Sequence, residues 1–598
     1  MLSIVSRPST ASASLVAVCA LLLSWLPGTA SAQLPQTLLT AISPGGGQAG
    51  TSVDFVVLAG TDLEDISELR FSHAGITAVP KTRDVNGKPE PIPNQFTVTI
   101  AADVPPGLYD VRAAGYFGLS NPRTFVVGTS PEVAENDANN TFEQAMEVPI
   151  GTVVNGRSNG TADVDYYRFA AKTGQRLLIY CQARILDSKM EPGLELYDPN
   201  GRRIAYRREI RRVDPVIDFV PPVDGNYTLR VFDETYRGGN EYLYRLNLQT
   251  GPYVDFVFPP VGQAGTTQSF TVFGRNLPNG QPAELQINGR PLEKLDVQIA
   301  LPADSGQLDA AEPLAAYETS LDAIPYVLRS ESAAANPVQI QLATTAVLRE
   351  QEPNDKAETA GKIQIPVNVA GQFQSRNDVD VFEFSATAGE EYAIEVFGQR
   401  GCSNVDALFV LEQLTKDKDG KVTAKVVTTQ DDNPANIDPK VFETLTDDPY
   451  FRLKVAADSD YRLTLRDRYS ASRGDASLSY RLEIRKLQPD FRLVVMPLQP
   501  APGVTRNPNT WSTGLRRGEA QAVAVYVHRI DGFTGPVEVN AGNLPTGVTC
   551  PPIVIPENEN VGNLVFIAVA DAPVTNAEVQ VTGTAPTTLP EHEAAQTA

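Results

Sequence analysis

The stretches TSVDFVVLAGTDL (51–63) and TTQSFTVFGRNL (266–277) decide the fold. In the first, Val53 and Phe55 alternate with Ser52 and Asp54. In the second, Phe270 and Val272 alternate with Ser269 and Thr271. Alternation of period two, bounded by Gly and Pro, marks a half-buried β-strand. Gly60 and Gly274 punctuate the two strands at equivalent places.

The likeness extends well beyond this pair. GQAGT occurs at Gly47–Thr51 and Gly262–Thr266, Asn-Pro at Asn121–Pro122 and Asn336–Pro337, and Asp-Val-Asp at Asp163–Asp165 and Asp378–Asp380, each displaced by 215 residues. Phe169 to Gly174 and Phe384 to Gly389 keep the same displacement. Separated matches in one register indicate duplication of a two-domain unit. The 598 residues, with 46 prolines and 44 glycines, allow about four to six domains built from short strands and turns. No helical periodicity is sustained after residue 32. The expected fold is all-β: tandem β-sandwich domains, immunoglobulin-like and jelly-roll-like, five modules in a string. The expected boundaries are a signal peptide at 1–32, then modules at 33–128, 129–250, 251–346, 347–487 and 488–598. The third carries a polar insertion, PADSGQLDAAEPLAAYETSLDA (302–323), expected to be mobile. The last ends in a tail, TLPEHEAAQTA, expected to fray.

The N-terminus sets the compartment. Arg7 precedes the apolar run LVAVCALLLSWL, and Ala30 and Ala32 fit a cleavage site after Ala32. The run is short for a membrane span, and no later run approaches the ~20 residues required. Cys19 lies inside the run behind Val18, which does not fit a lipid-anchor site. The expectation is an exported protein, secreted, periplasmic or at the cell surface, with no transmembrane segment after cleavage. Cys181, Cys402 and Cys550 are too sparse for a disulfide framework and read as buried free thiols. A net charge of −22 argues against nucleic acid as a partner, which needs basic patches, and makes divalent cations plausible partners.

Two resemblances sharpen this outline. The modules at 33–128 and 251–346 resemble immunoglobulin-like domains of the IPT/TIG type. EQEPNDKAETA (350–360) resembles the opening signature of the bacterial pre-peptidase C-terminal domain family. Similar features follow in both copies: GTVVNG and GQFQSR, DVDYYRF and DVDVFEF, DGNYTLRV and DSDYRLTL, and the closing YRLNL and YRLEI. The resemblance implies a β-sandwich appended to secreted enzymes or strung together in exported proteins. It also implies calcium, which collagenase relatives bind through the leading linker. The segment at 488–598, with its NLPTGV, resembles another exported immunoglobulin-like module.

The residues point to the same metal. In DVDVFEF, Asp378, Asp380, Phe382 and Phe384 share one strand face, spaced by about 7 Å. The phenylalanines must enter the core, so the aspartates crowd its mouth, where they require cations or several N–H donors. The linker adds Glu350, Glu352, Asn354 and Asp355. Calcium takes six to eight such oxygens in irregular geometry. In the first copy the linker reads EVAEND, and Glu132, Asn136, Asp137, Asp163 and Asp165 form the candidate set. A plainer reading stands beside this one: Asn-Asp forms turns through local hydrogen bonds, and Asp378 caps one.

Other motifs read as structure. TKDKDGKV (415–422) starts like a calcium loop, but the closing glutamate would fall at Val426, so Asp419-Gly420 reads as a hairpin turn. GRRIAYRREIRR (201–212) reads as a strand face paired with nearby acids, with a polyanion grip as the alternative. Arg-Gly-Asp at 473–475 falls in a loop. His73, His528 and His592 are isolated, and no zinc-protease pair, nucleophile elbow or phosphate loop occurs. The expectation is therefore not an enzyme but an adhesion, envelope or extracellular-matrix/substrate-binding scaffold. Its partner is an extracellular protein or polysaccharide. The alternatives are an accessory substrate-binding protein of a secreted peptidase or polysaccharide-degrading system, or a peptidase. Tyr166, Tyr167, Tyr197, Tyr236, Tyr242 and Tyr244 make the first copy tyrosine-rich. Alternation sends half of them inward, so an exposed tyrosine patch would favour substrate binding.

Overall fold

A computed structural model describes residues 37–208, 214–287, 289–303, 315–329, 334–401, 403–497 and 512–586. The expected signal peptide, Cys402, His592 and the C-terminal tail lie outside these residues. Among the described residues there are ten sheets and only short 3-10 turns, so the protein is all-β. No helix among them is long and apolar enough to cross a membrane.

The sheets pack in pairs around five hydrophobic cores, as tandem β-sandwiches. The strand Ser52–Thr61 sends Phe55 and Val57 inward, where Phe55 meets Phe125 of the facing sheet with ring centroids 6.1 Å apart. Each such side chain contributes about 1.5–3 kcal/mol by leaving water. The displacement of 215 residues reappears in the strand pairing. Gly46 pairs with Val126 and Val261 with Gln341. Glu132 pairs with Val153 and Val347 with Asn368. Met146 pairs with Tyr167 and Gly361 with Phe382.

In each half with the acidic linker, two five-stranded sheets face each other. One contains Val153–Arg157 with Leu243–Gln249, and in the second copy Val367–Gln372 with Ser479–Lys486. Its outer side meets neighbouring sandwiches: Tyr180 lies against Tyr253 at 5.8 Å, and Arg485 pairs with Asp531 at 2.8 Å. The other sheet, built on Val164–Ala171 or Asp380–Ala386, supplies the aspartates.

The string is not extended throughout. Arg516 donates to the carbonyl of Phe117, so the last sandwich also touches the first. The described part of the polar insertion forms a docked 3-10 turn, Ala316–Ser320, whose Thr319 hydroxyl lies 2.9 Å from His528 Nε2. Residues 304–314 of the insertion lie outside the described residues.

Candidate metal centre

The strand Val347–Arg349 lies parallel to Val367–Gln372 and delivers the linker to the mouth of the second acidic sandwich. The Glu350 amide donates to Ala370 O, and Glu350 Oε1 accepts from the Gln372 amide at 2.5 Å. The chain then crosses to the facing sheet, where the Val381 amide donates to Asn354 O at 3.0 Å. The linker thus bridges both sheets, and its side chains converge with those opening the strand Asp380–Ala386.

Glu350, Glu352 and Asp380 bring carboxylate oxygens within 4.8 Å of one another. The Tyr480 hydroxyl lies 3.0 Å from Glu350 Oε2 and 2.8 Å from Asp380 Oδ2. It holds one proton for two acceptors. Gly371 makes room for this contact, since a Cβ there would stand 2.3 Å from the Tyr480 hydroxyl. Asp378 plays the turn-capping part as well: its Oδ2 accepts the amides of Gln374 at 2.5 Å and Ser375 at 3.2 Å. Phe382 and Phe384 enter the core as their parity requires.

Asp380 is fully buried and Asn354 nearly so; Asp380 Oδ1 and both side-chain polar atoms of Asn354 have no partner at hydrogen-bond geometry among the described residues, although the Asn354 side chain lies close enough to Asp380 to favour its ionised form. Leaving such groups unpaired costs about 1–3 kcal/mol each. Burial pushes the Glu350 carboxyl up to about 7. Burial, then the charge of Glu350, drives Asp380 well above the usual carboxylate range. Burial also raises Glu352 and Asp378. Clustered acids that resist ionisation and unpaired oxygens fit a hard divalent cation. Glu350, Glu352, Asp380 and Asn354 would hold it. Asp355 is exposed on the adjoining turn.

The first copy follows the 215-residue register rather than the expected linker alignment. Glu135, not Glu132, stands where Glu350 does. Glu135 Oε1 accepts the Arg157 amide at 3.0 Å, and Tyr244 lies 3.0 Å from Glu135 Oε2 and 2.7 Å from Asp165 Oδ2. The Glu132 carboxylate instead takes Arg245 and the Asn155 amide nitrogen, the latter at 2.7 Å. Asn136 is exposed and caps Ala138 at 3.2 Å, while Asn139 is the buried counterpart of Asn354, again with both polar atoms unpaired. Asp137, the counterpart of Glu352, accepts from Asn159 Nδ2 at 2.9 Å, and Asp163 from the Asn159 amide at 2.5 Å. Burial lifts Glu135 to about 7 and, with the charge of Glu135, Asp165 to about 8. A second hydroxyl enters here, because Tyr167 stands where the other copy has Phe382. It lies 2.5 Å from the Tyr244 hydroxyl.

Sequence reasoning missed Glu135, Asn139, Tyr244 and Tyr480. The register was the available signal for the first two. It also missed Asp406, Asp431 and Asp432, which gather carboxylates beside Arg468. The remaining motifs resolve plainly. Gly420, with φ of +79°, turns a hairpin between Ala407–Lys416 and Val422–Gln430. In the Arg-Gly-Asp loop, Arg473 pairs with Asp467 at 2.6 Å and Asp475 accepts from the Ser477 amide at 2.8 Å. Cys181 is buried and free as expected, but Cys550 is free and only half-buried.

No protein-family model matches the chain, and no curated protein matches it. Among solved structures, a pre-peptidase C-terminal domain of collagenase from Bacillus anthracis is similar at 17% identity, over 20% of this chain and 96% of that one, with a TM-score of 0.15. The SGBP-B protein of a Bacteroides ovatus mixed-linkage glucan utilization locus, in complex with a mixed-linkage heptasaccharide, is similar at 8% identity. It covers 71% of this chain and 72% of that one, with a TM-score of 0.12. The tandem CBM22 domains of Paenibacillus barcinonensis Xyn10C are similar at 8% identity, over 73% of this chain and 98% of that one, with a TM-score of 0.12.

Proposed function

We infer that the chain is an exported, non-catalytic binding scaffold. It divides into immunoglobulin-like modules of the IPT/TIG type at 33–128 and 251–346, pre-peptidase C-terminal-like sandwiches at 129–250 and 347–487, and a last immunoglobulin-like module at 488–598. Each acidic sandwich takes one calcium ion where its linker crosses from sheet to sheet. Glu350, Glu352, Asn354 and Asp380 hold the ion in the second copy, and Glu135, Asp137, Asn139 and Asp165 in the first. The observation that carries the calcium reading is the convergence of the Glu350, Glu352 and Asp380 carboxylates beside the unpaired oxygen of Asn354. Calcium there ties the joint between modules and fixes their presentation to an extracellular partner.

The test is calorimetric unfolding with calcium and with EGTA. A ligand that binds only the folded state adds RT ln(1 + [L]/Kd), about 2.7 kcal/mol at one hundred times Kd. The expected result is an upward shift of the acidic-sandwich transitions with calcium. Transitions that ignore both additions would overturn the calcium reading. Retention of the chain on a matrix-protein or glycan array tests the binding role separately.

A further inference from the structure

The first acidic sandwich carries a second feature that its duplicate lacks. The sheet built from Val164–Ala171, Gly225–Asp233, Pro192–Tyr197 and Arg203–Arg208 turns one face to the core. On its other face, Tyr166 stands opposite Arg230, Arg230 opposite Glu195, and Glu195 opposite Tyr206. Three strand spacings make this row roughly 14 Å long. The next row reads Arg168, Thr228, Tyr197 and Arg203.

The side chains are arranged rather than scattered. Arg230 and Arg203 both reach the Glu195 carboxylate through Nη1. Arg230 lies over the Phe232 ring at 4.5 Å, and Tyr236 stacks on that ring at 6.0 Å. Tyr206 and Tyr236 remain 39% and 48% exposed, although the sheet is otherwise well packed. The opposite sheet is the one turned toward neighbouring sandwiches, so this face looks outward.

The duplicate shows that the fold does not demand these residues. There the same row is Val381, Thr464, Val410 and Thr429, and the next is Glu383, Arg462, Glu412 and Val426. Both copies keep the same inward positions, Tyr167 or Phe382 and Leu229 or Leu463. On the first copy's outer face Phe142 packs edge-on against Tyr166 and Tyr197, with ring centroids 6.2 and 5.7 Å apart, and Tyr206 and Tyr236 are the rings left exposed.

We propose that this face of the first acidic sandwich binds an acidic polysaccharide, with the exposed Tyr206 and Tyr236 under the sugar rings and Arg203 and Arg230 on its anionic groups. Flat, rigid rings offer apolar area to the C–H faces of pyranoses, and their hydroxyls serve the polar edges. A guanidinium has five N–H donors, so bonding to Glu195 leaves donors for a carboxylate or sulfate. Glu195 positions the two arginines. The row's length suits an oligosaccharide segment rather than a single sugar. The proposal rests on the scaffold reading above and names its ligand class and surface.

Affinity electrophoresis of the full chain through polygalacturonate, dextran sulfate and uncharged dextran tests it. One or both acidic polymers retard the protein, salt weakens the effect, and dextran does not retard it. The carboxylate and sulfate polymers distinguish the two anion sources. The fourfold variant Tyr166→Val, Glu195→Val, Arg230→Thr and Tyr206→Thr installs the row that the duplicate folds with. It should bind about tenfold more weakly or worse. If that variant melts early, Tyr206→Thr alone, at the exposed edge, should still lower affinity severalfold. Equal retardation by dextran, or undiminished retardation of the folded variants, overturns the proposal. Matrix-protein binding that survives the fourfold change, without acidic-polymer binding, overturns this face and leaves the scaffold reading intact. Loss of every such interaction overturns both.

Discussion

Glu350 and Asp380 share one tyrosine hydroxyl, and their burial, which outweighs that hydrogen bond, sets how the linker crossing responds to pH. Glu350 is raised to about 7 and its counterpart Glu135 to about 7. A raised acid stabilises the fold below its unfolded value near 4.3, and that stability is lost as pH rises through the folded value. Calcium-free protein should therefore lose thermal stability from about pH 4.5 to 8, since Asp165 is raised to about 8 and Asp380 also stands well above the usual carboxylate range. Added calcium should restore more at pH 8 than at pH 5, because ligands must be deprotonated. A flat pH profile in EGTA would show that these acids ionise freely. Glu350→Gln and Asp380→Asn should each hold the calcium-free midpoint at pH 8 level or raise it, and abolish the calcium shift of the second acidic sandwich while the first keeps its own. Calorimetry of each variant with and without calcium reads this directly. Glu350, Glu352, Asn354 and Asp380 are legible in the sequence, because the linker is rich in oxygen ligands and phenylalanine burial fixes where Asp380 points, whereas Asp378 caps the preceding turn. Glu135 was not legible, because its linker was aligned on the first glutamate rather than on the repeat. Tyr480 and Tyr244 come from the last strand of each sandwich and read as ordinary core positions, since only the tip of each side chain serves the site.

At the scale of strands, the two glycines that punctuate the matching stretches have a shared cause. The neighbouring strand bulges between Leu39 and Ala41 opposite Gly60, and between Val254 and Phe256 opposite Gly274. A Cβ would stand 2.2 Å from Leu38 O at Gly60 and 2.1 Å from Tyr253 O at Gly274, so backbone must move. Gly60→Ala and Gly274→Ala should each cost about 1–3 kcal/mol, read as a lower urea midpoint with unchanged slope for the affected sandwich. A neutral effect would mean that the bulges relax without strain. Alternation, turns and repeat make the strands and the duplication readable. Which sheet of each sandwich meets its neighbours was not. Asn155, Arg245 and Asn247 look like a solvated strand face, yet all are buried. They pair with Glu132 and Gln182 of the same sandwich, and polar residues that satisfy one another in this way have the same sequence pattern as polar residues facing water.

Those junctions decide whether the molecule behaves as loose beads or as a jointed body. Arg275 is 4% exposed and pairs with Asp255 at 2.9 Å within its own sandwich and with Asp218 of the preceding one at 3.2 Å. Asp218 also takes Arg176 at 2.6 Å, and Arg176 reaches Glu293 across the joint at 3.4 Å. Two cations and three carboxylates thus interlock where two sandwiches meet. Burial raises Asp255 to about 6 despite Arg275, so its ionised form depends on that partner. Removing one member of a buried pair strands the other, at a cost of about 3–5 kcal/mol. Arg275→Ala should therefore separate the unfolding of the two sandwiches in calorimetry and raise the radius of gyration in solution scattering. Asp218→Ala should act the same way. The double variant should lose less than the two single losses together, by a coupling of about 0.5–3 kcal/mol. Strict additivity, with no change in scattering, would mean that the ions are only neighbours and that the sandwiches turn freely about the linker. Coupling would mean that ion pairs lock this joint. The linker crossings then act on joints already held, and the tyrosine-bearing face keeps a fixed direction relative to the neighbouring sandwich.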